Sequence, residues 1–164
     1  MSQHDVTPRD ERIETVTFEV QPIDSPVALA LIEEVQAEYV IRYGSRDETP
    51  VDVTEFERPA GSFVVLLVDG EPAGMVGLRR HSDDEVEVKR MFVRTPLRGR
   101  GLSRRLVTWV EEEARALGYR RILMETGIQQ PEAMALYVSS GYEEIAGFGY
   151  YADSPQNRCY AKTL

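Results

Sequence analysis

Apolar residues along this chain fall into two recurring patterns, one of short β-rich runs and one of helical spacing. Thr15–Val20 alternates as a first strand. Ser25-Pro26 starts a helix, with serine as N-cap and proline at the first helical position; Ala28, Leu31, Ile32, Val35 and Tyr39 then recur at helical spacing. Gly44 to Pro59 is polar and predicts a loop holding one short helical turn. Ser62–Val68 and Ala73–Arg80 are apolar runs joined through Asp69-Gly70, a hairpin signal, and Val86–Val93 follows after a second turn at Asp83-Asp84. A helix buries Leu102, Leu106, Trp109, Val110 and Leu117 and stops at Gly118. Arg121–Glu125 predicts a short strand, Pro131 to Gly141 a further helix, and Tyr142–Ile145 and Arg158–Thr163 the last two strands. The resulting order is β-α-β-β-β-α-β-α-β-β, an α/β (α+β) fold with a mixed, mostly antiparallel sheet flanked by helices on both faces.

The length of 164 residues suits one domain, read here as residues 13–164 behind a flexible segment, residues 1–12. That opening segment lacks the apolar stretch of a secretory signal, and no run approaches the roughly 18–20 apolar residues of a membrane span. The single cysteine, Cys159, excludes an internal disulfide, and the whole reads as a cytoplasmic protein. Cys159 on a final strand reads as packing rather than as a nucleophile. His4 and His81 stand alone without metal-ligand spacing, so no metal is expected.

Charge changes the picture. The chain carries a net charge of −9, yet Lys89–Arg105 holds seven of its nineteen Lys and Arg residues and no acid. That segment is +7, so the rest of the chain sums to −16. Within it an apolar strand, Met91-Phe92-Val93, runs into Arg98-Gly99-Arg100-Gly101-Leu102-Ser103-Arg104, a glycine-containing basic turn that opens a helix. Helix N-termini offer unpaired N–H groups and the positive dipole end, and the glycines permit close backbone approach, so a diphosphate is the natural occupant. The turn lacks the Gly-Lys-Ser/Thr of a P-loop, and Arg104 stands where a dinucleotide fingerprint wants a third glycine. A nucleic acid would have to overcome the acidic remainder, and no aromatic stacking surface interleaves with the arginines. A second constellation is Gln130 to Tyr142, where helical spacing puts Ala133, Tyr137 and Gly141 in one column and turns Leu136 to the core.

Together these segments resemble the GNAT superfamily of acetyl-CoA-dependent N-acetyltransferases. That family's phosphate-loop pattern, Gln/Arg-x-x-Gly-x-Gly/Ala, falls on Arg98 to Ser103, with Ser103 in place of the usual small residue. Its later pattern falls on Gln130, Ala133, Leu136-Tyr137 and Gly141-Tyr142, with Gln130 where Asn is frequent. The resemblance covers Ser62 to Gly141 and implies acetyl-CoA as cosubstrate. The diphosphate would lie on the turn Arg98, Gly99, Arg100, Gly101, Leu102, Ser103 and Arg104. The pantetheine would run beside Met91, Phe92 and Val93, and reach Gln130. A strand N–H at Met91 or Phe92 would polarise the thioester carbonyl. Glu87, eleven residues before Arg98, is the implied base, against a plain reading of Glu85, Glu87 and Lys89 as a solvated strand face. Tyr137 is the implied acid or hydrogen-bond donor for the departing thiolate.

The resemblance further implies an acceptor pocket built from the first helix, its following loop and the segment before the last strand. Glu34, Glu38, Tyr39, Tyr43, Asp47, Glu48, Phe148, Tyr150 and Tyr151 are its acidic and aromatic candidates, a composition suited to a small amine. The expected reaction is direct transfer of acetyl to a primary amine. A peptide or protein N-terminus is the rival acceptor, and a non-catalytic acyl-CoA-binding module the rival class. A homodimer through the terminal strands stays open.

Overall fold

The computed structural model describes residues 14–164; the expectation for residues 1–12 lies outside the described residues. Seven strands, β1 (Val16–Val20), β2 (Ser62–Val68), β3 (Glu71–Arg80), β4 (Glu85–Val93), β5 (Arg121–Gly127), β6 (Glu143–Ile145) and β7 (Asn157–Thr163), form one sheet in the order β1-β2-β3-β4-β5-β7-β6. Three α-helices accompany it: α1 (Pro26–Tyr43), α2 (Leu102–Ala116) and α3 (Pro131–Ser139). Neighbouring strands are antiparallel except β4 and β5, which are parallel. The element order is the one the sequence pattern predicts.

Local chemistry explains the boundaries. The Ser25 hydroxyl caps α1 by accepting from the Ala28 N–H, and Gly44 closes it in the left-handed conformation at φ 81°. Asp69 and Gly70 both have positive φ, as a tight β2–β3 hairpin turn requires. The polar stretch after α1 contains one short 3-10 turn, Val53–Phe56, closed by a reciprocal Asp52/Glu55 capping box.

Residues of β2 alternate between two cores. Phe63 and Val65 pack with Leu31, Val35 and Met75 under α1. Val64, Leu66 and Val68 pack with Leu106, Val107 and Val110 of α2 and with Tyr137 of α3. Thus α1 covers one face while α2 and α3 cover the other, and a strand buried on both sides reads as a continuous apolar run. Among the described residues, no helix is long and apolar enough to cross a membrane.

Two irregularities in β4 shape the site. Gly77 pairs with Lys89 and Met75 with Phe92, so β4 spends one more residue than β3 over this stretch; Arg90, at φ 60°, is the residue in the left-handed conformation there. The extra residue changes the facing parity. Val86 and Val88 belong to the α2-side core, and beyond the bulge Met91 and Val93 do, while Phe92 joins the α1-side core. In addition, β4 pairs with β5 only over Glu85–Glu87 against Arg121–Leu123, although both strands continue. Beyond Glu87 they diverge, leaving the β5-facing edge of β4 without a strand partner.

Candidate active site

The divergence of β4 and β5 opens a cleft of about 530 Å³. Its walls are Val88–Val93 of β4, Met124–Gly127 of β5, the turn and first residues of α2, and Gln130, Ala133, Leu136 and Tyr137 of α3. The carboxyl-terminal half of α1 and the loops after α1 and before β7 close the other end, through Tyr39, Tyr43, Asp47, Tyr151 and Asn157. The basic turn and the Gln130–Tyr137 helix, separate in sequence, therefore face one space.

Backbone directions on β4 are set by its pairing with β3. Arg94 donates its N–H to Ala73 O, and Phe92 O sits so close to Gly74 that a Cβ there would meet it at 2.6 Å. Strand alternation consequently turns the polar groups of Phe92 and Arg94 toward β3 and those of Met91 and Val93 toward the cleft. Val93 O indeed accepts from Arg98 Nε at 3.0 Å on that side. Of the two backbone N–H groups the sequence offers, Met91 supplies the one directed into the cleft.

At the turn, Gly99 and Gly101 adopt φ 78° and 77°, and Gly101 is the N-cap of α2 with no side-chain cap. The first-turn N–H groups of α2 are consequently not consumed by a capping side chain, and the dipole adds positive potential at the same point. The arginines are less available than the sequence suggests. Arg98 donates to both oxygens of Glu38 at 2.7 and 2.9 Å, and this pairing holds the Glu38 carboxyl below its ordinary range. Arg100 pairs with Glu14 at 2.7 Å and does not line the cleft. Arg104 lines it while bonding the Ser139 and Ser140 hydroxyls at 2.9 and 3.4 Å, which ties α2 to α3. In the free protein the backbone N–H groups are the readily available part of the cradle.

Tyr137 is 5% exposed and lines the cleft, and among the described residues its hydroxyl has no hydrogen-bond partner. Burial pushes its pKa above the ordinary phenol value, so the proton stays on. Gln130 also lines the cleft; its carbonyl oxygen accepts from Tyr43 and Thr126 hydroxyls, both at 3.2 Å, leaving the amide nitrogen as its spare group. Tyr43 reaches it because Gly127 has no Cβ, which would stand 2.0 Å from the Tyr43 hydroxyl. Leu136 is half-buried and serves both the core and the cleft wall.

Glu87 has a different setting. It is 6% exposed and ion-paired to Arg79, and it does not line the cleft. Lys89 is 9% exposed, so this strand face is neither solvated nor a row of free charges: the loop after α1 covers it, with Arg79 also donating to Pro50 O. Of the acceptor-side candidates, Glu38, Tyr39, Tyr43, Asp47 and Tyr151 line the cleft, whereas Glu34, Glu48, Phe148 and Tyr150 do not. Asp47 is pinned by the Thr49 N–H and hydroxyl and by Arg90, which together hold its carboxyl below the ordinary range against the cost of burial. Cys159 is buried on β7, its thiol pushed up in pKa by burial.

Sequence reasoning passed over Glu125, which lines the cleft from β5 at 12% side-chain exposure. Its nearest partners, Lys89 Nζ and Asn157 Nδ2, both stand at 3.4 Å, and burial raises its carboxyl pKa. The one available signal was an acid directly after the apolar run Ile122-Leu123-Met124.

A mixed sheet splayed between its central parallel strands, with an uncapped glycine turn at the mouth, is the arrangement that the resemblance to acetyl-CoA-dependent N-acetyltransferases implies. Comparison with known proteins agrees: the model of the Acetyltransferase (GNAT) family matches residues 28–142, and the chain belongs to that family. Its members use acetyl-CoA as cosubstrate, and this chain is an N-acetyltransferase of that kind. It is 33% identical over 135 residues to an IAA acetyltransferase of Azospirillum brasilense, covering 82% of this chain and 88% of that one. An aminoalkylphosphonate N-acetyltransferase of Salmonella typhimurium is 30% identical over 91 residues, 52% of this chain and 59% of that protein. Among solved structures, an acyl-CoA N-acyltransferase described from Klebsiella pneumoniae superposes with a TM-score of 0.79 at 23% identity, over 91% of this chain and 97% of that one. A family member from Elizabethkingia anophelis with acetyl-CoA bound gives 0.68 at 14% identity, over 91% of this chain and 98% of that one.

Proposed function

We propose that this enzyme transfers acetyl from acetyl-CoA to the primary amine of a small molecule by direct attack, without an acetyl-cysteine intermediate. The observation that carries the small-molecule reading is the closure of the acceptor end. The Glu48 N–H donates to the Tyr151 hydroxyl at 2.8 Å, joining the loop after α1 to the loop before β7 across the cleft. A bridge at that end favours a compact amine over a polypeptide. The buried acids and aromatics behind it suit an ammonium group. The aminoalkylphosphonate-acetylating relative also takes a small amine by its name.

In this reading the diphosphate sits on the first-turn N–H groups of α2, helped by Arg104, with Arg98 released from Glu38. The pantetheine runs along the unpaired edge of β4 as an added strand would, meeting the Met91 and Val93 backbone, with the Gln130 amide nitrogen as a further donor. The Met91 N–H polarises the thioester carbonyl. Tyr137 donates a hydrogen bond to the departing sulfur rather than surrendering its proton, because burial makes its phenol a weaker acid. Glu87, the base that the resemblance implies, is held by Arg79 outside the cleft and has no direct path to the amine.

The test is thiol release from acetyl-CoA across a panel of small primary amines and short peptides with free N-termini. Saturable turnover on small amines is expected. Preference for peptides would move the acceptor class, and acetyl-CoA binding without turnover on any amine would leave an acyl-CoA-binding module.

A further inference from the structure

Among the described residues four carboxylates line the cleft, and three of them are held by close partners. Glu38 is held bidentately by Arg98, Asp47 accepts from Thr49 at 2.7 and 2.9 Å, and Glu132 pairs with Arg42 at 2.6 Å. Glu125 alone has no partner closer than 3.4 Å, its ion pair with Lys89 and its hydrogen bond from Asn157 both standing at that distance, and it projects from β5 beyond the point where β4 and β5 part. A buried carboxylate with such poor internal partners retains acceptor capacity for a ligand. It also faces β4, whose Met91 N–H marks the thioester position proposed above.

We propose that Glu125 is the catalytic carboxylate that receives the acceptor ammonium and takes its proton; this assignment rests on the proposed transfer to a small amine. One N–H proton of the ammonium passes to Glu125, and the freed amine attacks the thioester carbonyl. The C–N bond forms and the C–S bond breaks. A second N–H proton ends on the coenzyme sulfur, and Glu125 returns its proton to solvent. The balance is an ammonium and a thioester giving an amide, a thiol and one released proton.

The surroundings tune this group in a stated direction. Burial is the largest influence and raises its pKa; Lys89 opposes it, while Glu87, behind it on β4, raises it further. From β7 it is faced by Asn157 and the protonated Cys159, and the acceptor end adds Asp47 and Tyr151. A carboxyl raised toward neutrality is a better base than an ordinary one.

The experiment compares kcat/KM against pH for the full-length enzyme, Glu125→Gln, Glu125→Asp and Glu87→Gln, using the best amine from the panel. Acetyl-CoA affinity by calorimetry and thermal melting serve as checks on folding. Glu125→Gln is expected to lower kcat/KM at pH 7 by about 10²–10³-fold, within the usual range for a lost general base, and to replace the acidic limb set by the carboxyl with one that follows the amine's own ionisation. Its deficit should shrink as pH approaches the amine's own pKa, where free amine is abundant, a recovery that a merely structural role would not produce. Glu125→Asp should keep the limb, and Glu87→Gln should keep it displaced to lower pH. An unchanged profile in Glu125→Gln, or loss of the limb in Glu87→Gln alone, overturns this assignment while leaving small-amine transfer standing. Absence of thiol release from the wild type with every amine removes both.

Discussion

Replacing Tyr137 with Phe isolates one hydroxyl. The ring is 5% exposed and packs against Tyr142 and Tyr160 at centroid distances of 6.2 and 5.7 Å, contacts that phenylalanine keeps. The hydroxyl makes no hydrogen bond to the described residues, so its removal strands no partner and should change folding stability by less than about 1 kcal/mol. Catalytically it would be the donor to a sulfur gaining negative charge. A hydrogen bond to a charged group is worth about 1.5–3 kcal/mol, and each 1.36 kcal/mol is tenfold in rate, so kcat should fall roughly 10- to 150-fold. KM for acetyl-CoA should stay within about twofold, since the interaction forms in the transition state. Because burial raises the phenol's pKa, the residue stays protonated through neutral pH and Tyr137→Phe should preserve the shape of the pH profile. Thiol-release kinetics across pH together with urea denaturation read all four quantities. A kcat within twofold of wild type would refute the reasoning, as would a stability loss that accounts for the lost activity.

Gly101→Ala places a Cβ in open space but in a left-handed backbone at φ 77°, so urea denaturation should show a cost of about 1–2 kcal/mol, with weaker acetyl-CoA binding as the turn shifts. Glu38→Gln removes the competitor for Arg98 and should tighten acetyl-CoA binding at low salt by calorimetry. The Glu38 carboxyl is depressed by Arg98, so its contribution is present above its unfolded value of 4.5 and lost as pH falls through the lower folded value. At neutral pH that contribution stays below about 1 kcal/mol for so partly exposed a pair, and the variant's stability should converge on wild type in acid. Leu106→Ala, at a position with 0% exposure between α2 and the sheet, should cost about 2–5 kcal/mol in the same denaturation assay.

Much of this molecule is written in local sequence. Period-2 and period-3.6 apolar patterns, the Ser25-Pro26 cap, the Asp69-Gly70 turn and the glycines at 99 and 101 act over a few residues, so they place every strand and helix and mark the glycine turn that opens α2. The pairing of Arg98–Ser103 with Gln130–Tyr142 was legible through their joint resemblance to one family, both motifs lying in order on the elements that the resemblance implies. The charged residues of the site were not. Glu87 and Glu125 are both acids in strands, and nothing nearby in sequence says which faces the cleft. Their difference comes from strand pairing: Arg79 stands opposite Glu87 in the β3–β4 hairpin and holds it, while β5 carries Glu125 to where β4 has already diverged. Likewise Glu38 reaches Arg98 only because α1 lies over the mouth of the turn. The extra residue around Arg90 changes which side of β4 each later residue faces, and strand pairing alone reveals it. Backbone conformation follows from neighbours in the chain, whereas the availability of a charge depends on who reaches it in space. The sequence therefore determined the scaffold and the glycine turn proposed for the donor, and the tertiary structure decided how closely each carboxylate of the cleft is held by its partners.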